Sequence, residues 1–129
     1  MRVASSAEMA AIDRSSQAEY RIPAIVLMEN AGARALDALR DQGLREPVVF
    51  VAGKGNNGGD AFVMARHARV SGLTQLSIVL AGGPPRPGSE PAVNLETCRA
   101  LGIEVTSFDQ RRARARMQEA AWIVDGVCG

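Results

Sequence analysis

Residues 48–60, VVFVAGKGNNGGD, decide how this chain is read. Val48 to Val51 are an apolar run too short for a helix and long enough for a buried strand. The chain then breaks into Gly53-Lys54-Gly55-Asn56-Asn57-Gly58-Gly59-Asp60 and resumes a helical pattern through Ala61, Met64, Ala65 and Ala68. A glycine-rich turn between a parallel strand and a helix bares backbone N–H groups at the positive end of that helix. This geometry suits an anion, above all a phosphate. The ligand site is expected here, with Asp60 as the capping residue of the helix.

Gly53, Gly55 and Gly58 also satisfy G-x-G-x-x-G, the dinucleotide fingerprint. That motif makes a second demand, an acidic residue about 20 residues on, at the end of the next strand, for the ribose hydroxyl. The next strand is Leu76–Leu80, and it runs into Ala81-Gly82-Gly83, with no Asp or Glu between Asp60 and Glu90. Arg86, the candidate for a 2′-phosphate, lies beyond two prolines. The ordinary dehydrogenase reading is therefore disfavoured, and the ATP-binding P-loop fails, because no Ser or Thr follows Lys54. Asn56, Asn57 and Asp60 remain unexplained by phosphate binding through backbone alone. They add amide donors and acceptors and one carboxylate to the loop.

Composition narrows the class. A chain of 129 residues is one domain, and a net charge of +1 points neither to nucleic acid nor to an anionic membrane surface. Lys54 is the only lysine among fifteen Lys and Arg residues, and it stands inside the loop. Cys98 and Cys128 read as reduced thiols, since no signal-peptide pattern and no zinc spacing accompany them. No apolar run reaches the 18 residues of a membrane span. His67, the single histidine, falls on the helix after the loop and reads as a surface or helix-packing residue. Arg111, Arg112, Arg114 and Arg116 lack interleaved aromatics and read as a solvated helix face.

Along the chain, Ser5-Ser6-Ala7-Glu8 has the spacing of a capping box and opens a first helix. Pro23 leads a second helix through Ile25, Met28, Ala31, Gly32, Ala35, Leu36 and Leu39, and Gly43 ends it. Beyond the turn Pro84–Gly88 come a helix from Pro91 to Leu101, a strand at Ile103–Val105, a helix near Gln110–Ala120 and a strand at Trp122–Val124 that runs into Asp125-Gly126. Alternating strands and helices imply an α/β fold, a three-layer αβα, Rossmann-like and mostly parallel sheet. In the order 3-2-1-4 the strands at 48–51 and 122–124 are neighbours, so Asn56–Asp60 and Asp125 are expected to flank one crevice at the switch point. Such a sheet calls for further strands. The chain therefore reads as incomplete at the carboxyl end, with an open apolar edge on the strand at 122–124.

Tyr20-Arg21-Ile22-Pro23, Leu27-Met28-Glu29-Asn30-Ala31-Gly32, the loop Ala52–Asp60, Asn94-Leu95, Leu101-Gly102 and Ile123-Val124-Asp125-Gly126 together resemble the YjeF N-terminal domain family, the NAD(P)H-hydrate epimerases. The resemblance covers essentially the whole chain, residues 1–129, as one carboxyl-terminally truncated domain. It implies an isomerase of metabolite repair that interconverts the R and S forms of hydrated NADH and NADPH (NADHX and NADPHX). The S epimer then passes to an ADP- or ATP-dependent dehydratase. By the match, Asn56, Asn57, Gly58, Gly59 and Asp60 bind substrate, and Asn57 and Asp125 ligate one potassium ion per subunit. Gly129 would begin a second substrate loop. Oxygen donors of this kind suit a hard cation. A cytoplasmic setting and pairing as a homodimer belong to the same implied set, without nucleic acid or membrane.

Epimerisation needs a proton donor and acceptor at the hydrated carbon. Asp60 is the catalytic candidate within this chain, and a group beyond Gly129 is the other. The family domain runs further, and its usual glycine after the loop Asp is Ala61 here. Two alternatives follow. The chain is a nucleotide- or protein-binding piece without activity, or it is the front part of a fused epimerase–dehydratase.

Overall fold

The computed structural model describes residues 2–5 and 21–127. Its elements run β1 (Arg2–Ser5), α1 (Ala24–Asp41), β2 (Val48–Ala52), α2 (Asn56–Val70), β3 (Leu76–Leu80), α3 (Glu90–Ala100), β4 (Glu104–Ser107), α4 (Arg111–Glu119) and β5 (Trp122–Gly126). The five strands form one sheet in the order β1-β5-β2-β3-β4, every pair parallel. The expected order of the four later strands holds.

The expected open edge does not hold. Arg2–Ser5 pairs along β5, Arg2 opposite Trp122 and Ser5 opposite Asp125. Ser5 ends this strand, and the expected first helix that follows it lies outside the described residues. The backbone hydrogen bonds that β5 would have left bare are taken by β1.

Helices α1, α2 and α3 cover one face. Leu27, Met28, Ala31, Gly32, Ala35, Leu36 and Leu39 recur at helical spacing and form the buried side of α1. Gly43 closes that helix with φ of +94°, while the Leu44 N–H donates to Leu39 O at 3.0 Å. Helix α2 shows no amphipathic stripe, because the sheet lies beneath it and α1 and α3 flank it. Ala61, Phe62, Val63, Met64 and Ala65 are all buried as a result. Gly32 makes the closeness of α1 and α2 feasible, since a Cβ there would overlap the Val63 side chain. Ser89 caps α3, accepting from Ala92 N at 3.3 Å.

The other face is thinner. Val49, Val51 and Val79 are covered by α4 through Ala113, with Met117, Ala120 and Ile123 at the margin. The main core lies on the three-helix side, where Phe50 and Phe62 are fully buried. Each such side chain is worth roughly 1.5–3 kcal/mol of burial.

Candidate functional site at the carboxyl ends of the strands

Three chain segments leave the sheet side by side. The Gly53 N–H donates to Gly126 O at 3.2 Å, and the Ala81 N–H to Ala52 O at 2.8 Å. These bonds extend the β2–β5 and β2–β3 ladders by one step, so the turns after β5, β2 and β3 open into one crevice. Switch-point crevices of parallel sheets are where ligands bind.

The glycine loop turns sharply there. Helix α2 starts at Asn56 with Gly55 as N-cap and no side-chain hydrogen bond to the cap. Asp60 is thus the fifth helical residue, not the cap that the sequence suggested. No acidic side chain occupies the first turn to offset the positive helix end. Gly58 sits so close to Gly53 that a Cβ would collide with the Gly53 carbonyl. A Cβ at Gly59 would meet Met28 Sδ and Cε at 2.5 Å and Pro91 Cγ at 3.2 Å. These two glycines lie inside the helix, and the neighbours, not a turn, require glycine there.

The Asn and Asp residues differ in setting. Asn56 is exposed, and Asn57 is half-buried. Asn57 Oδ1 is buried and has no hydrogen-bond partner among the described residues. Asp60 is 2% exposed, at the base of the loop. Asp125 lies within β5 rather than after it, opposite Val51 of β2. Its Oδ1 accepts from Val127 N at 2.8 Å, which fixes the carboxylate at the strand end. Gly126 lets the two halves of the crevice touch: a Cβ there would stand 2.9 Å from Asn57 O and 3.1 Å from Val51 O. The fold thus brings together the loop and Asp125, far apart in sequence. Gly129 and Cys128 lie outside the described residues.

The floor of the loop comes from Met28 and Asn94, which stand in the family-like segments but carry no expected site role. Met28 supports Gly59 from α1. Asn94 of α3 is buried, and its Nδ2 donates to Met28 Sδ and to Glu90 O, each at 3.2 Å. One residue on, Glu29 ties α1 to α2, taking a hydrogen bond from Arg66 and lying 2.5 Å from His67 Nε2. His67 is therefore a helix-packing residue. Burial pushes the Glu29 carboxyl up, but the bonds from Arg66 and His67 outweigh it and hold the carboxyl below its ordinary value.

A cavity of about 450 Å³ opens at the opposite, amino-terminal edge of the sheet, lined in part by Val48, Gln75, Ser77 and Arg116. Among its charged residues, Arg116, Glu104 and Glu119 are spent on one another, and Arg69 donates to the Thr74 carbonyl at 3.4 Å. Arg116 bonds Glu104 at 2.8 Å and Glu119 at 3.4 Å, and Arg112 bonds Glu104 at 2.9 Å. The loop crevice, with its bare helix end and buried amide oxygen, is the better candidate.

The fold and crevice define a parallel α/β domain of the nucleotide-binding type. The crystal structure of the yeast protein ynu0 (YNL200c) superposes with a TM-score of 0.71 at 26% identity, over 100% of this chain and 57% of that one. Residues 24–129 match the family model described as YjeF-related protein N-terminus, and the chain belongs to that family. It is 30% identical over 118 residues to an NAD(P)H-hydrate epimerase of Rhodopirellula baltica, covering 92% of this chain and 48% of the relative. It is 33% identical to the bifunctional NAD(P)H-hydrate repair enzyme Nnr of Moorella thermoacetica, covering 100% of this chain and 26% of that enzyme. The chain thus spans about half the length of one curated relative and about a quarter of the other. Among the described residues, no helix is long and apolar enough to cross a membrane.

Proposed function

We propose that this chain carries the epimerase site for hydrated NADH and NADPH, converting the R form to the S form for a dehydratase in a cytoplasmic repair cycle. The observation that carries this reading is the contact of the GNNGGD loop with the end of β5, in a chain similar to epimerases. The bare N–H groups of α2 take the substrate's phosphates. Asn56, Asn57, Gly58 and Gly59 line that approach. Gly58 and Gly59 can do so only without side chains.

Potassium is part of the proposal. Asn57 Oδ1 is a buried acceptor with no hydrogen bond among the described residues, and such an atom costs stability unless something pairs with it. Asp125 has one oxygen held by Val127 and a second to offer. An amide and a carboxylate oxygen fit a hard cation. When bound, the ion supplies positive charge beside the substrate's diphosphate.

The hydrated carbon bears a hydroxyl and the ring nitrogen. Protonation of the hydroxyl releases water as the nitrogen lone pair forms an iminium, and water returns to the opposite face as a base removes its proton. Asp60, buried at the base of the loop, is the group in this chain to move that proton. The test is chromatographic. Purified R-epimer of NADPH hydrate is mixed with the chain, with and without potassium, and S-epimer formation is followed. Potassium-dependent acceleration over the spontaneous rate is expected. Nucleotide binding without acceleration would make this a binding domain, and the epimerase reading would fall.

A further inference from the structure

The turn after β3 lacks the acidic residue that holds a ribose hydroxyl in ordinary dinucleotide folds, and a cation lies over it instead. Lys54, exposed and the only lysine of the chain, leaves the glycine loop and runs across Gly82 and Gly83. A Cβ added at Gly82 would stand 3.9 Å from Lys54 Cε, and one at Gly83 would stand 3.7 Å away. Both glycines have positive φ, +88° and +93°, so the turn is tight and bare of side chains. It leaves a flat bed for the lysine stem, with the ammonium at its end.

A second feature adjoins this one. Phe108 follows β4 and donates its N–H to Leu80 O at 2.9 Å, which seats it beside the start of the same turn. Phe108 is 53% exposed, in a chain with few aromatics. An aromatic face open to solvent at the carboxyl end of a strand is a stacking surface for a base. Asp109 comes next, exposed and therefore well screened.

In a fold of this topology the pyrophosphate lies on the first glycine turn and the adenosine ribose over the end of the neighbouring strand. We infer that the carboxyl ends of β3 and β4 form the adenosine end of the site: Lys54 pairs with a 2′-phosphate on the ribose, and Phe108 stacks on the adenine. This assignment rests on the epimerase reading and adds a preference to it, for the phosphorylated substrate over its unphosphorylated counterpart. A carboxylate at the turn would have repelled that phosphate. Lys54 attracts it, and the paired glycines leave it room.

The test is equilibrium binding of two probes to the intact chain by calorimetry at low salt, ADP-ribose and 2′-phospho-ADP-ribose. The unsubstituted chain should bind the phosphorylated probe about tenfold more tightly. Lys54→Gln should abolish that difference without weakening ADP-ribose. Phe108→Ala should weaken both probes alike, by about tenfold. Both positions are exposed, and far-ultraviolet circular dichroism would check that each variant folds. Equal binding of the two probes by the unsubstituted chain, equal loss of both in Lys54→Gln, or no loss in Phe108→Ala would overturn the inference and leave the epimerase reading standing. Binding of neither probe would overturn both.

Discussion

Gly126 packs against Asn57: a Cβ at position 126 would stand 2.9 Å from the Asn57 carbonyl oxygen and 2.8 Å from Ala61 Cβ. Asp125 and the loop face one crevice because β5 ends on a residue with no side chain. Gly126→Ala should destabilise the fold by about 1–3 kcal/mol, since backbone and a buried methyl must both give way. Urea unfolding would measure this as a lower midpoint at unchanged slope.

Asn57→Ala separates a structural from a ligating role. Removing a buried oxygen that has no hydrogen bond among the described residues should leave the chain at least as stable in sodium buffer. If that oxygen ligates potassium, the unsubstituted chain should melt higher in potassium than in sodium, and the variant should lose the difference. Differential scanning fluorimetry in the two salts reads this directly.

The Glu29 clamp between α1 and α2 sets an acid limit. Its carboxyl is held below the ordinary 4.5 in the folded chain, opposed by burial and overcome by Arg66 and His67. A depressed carboxyl stabilises fully above its unfolded value, and that stability drains as pH falls through the folded value. Glu29→Gln should cost about 0.5 kcal/mol at neutral pH, a small figure because the group is 39% exposed and screened. The cost should vanish well below pH 4.5. Glu104, lowered chiefly by its bond from Arg116, adds to the same acid sensitivity.

Cys98 should be chemically silent. Burial pushes its thiol up to about 12, and Sγ lies 3.2 Å from Phe62 O. In a Cys128→Ser background, a disulfide reagent at pH 8 should label the native chain negligibly and the urea-unfolded chain once.

Much of this was legible in the sequence because it is local. The apolar run at 48–51 and the helical spacing of Leu27 to Leu39 each encode an element within a dozen residues. Strand order then followed from the usual arrangement of doubly wound parallel sheets. What escaped was nonlocal. Arg-Val-Ala-Ser has only two apolar residues and no pattern, and it becomes a strand because β5 offers an unpaired edge. Gly58 and Gly59 signal a turn by propensity, yet they lie in the helix, where Gly53 and Met28 leave no room for a side chain. The helix starts at Asn56, ahead of Asp60. The loop and Asp125 could be joined in advance by topology, but the floor beneath them, Met28 and Asn94, depends on packing of α1 and α3 that no local spacing records.

The central claim is that loop and strand end share one cation. The chain would be crystallised in rubidium chloride, and anomalous scattering collected at the rubidium edge. One peak within ligand distance of both Asn57 Oδ1 and the Asp125 carboxylate is the expected result. A map with no peak between those two side chains, from crystals in which the loop is ordered, would contradict it.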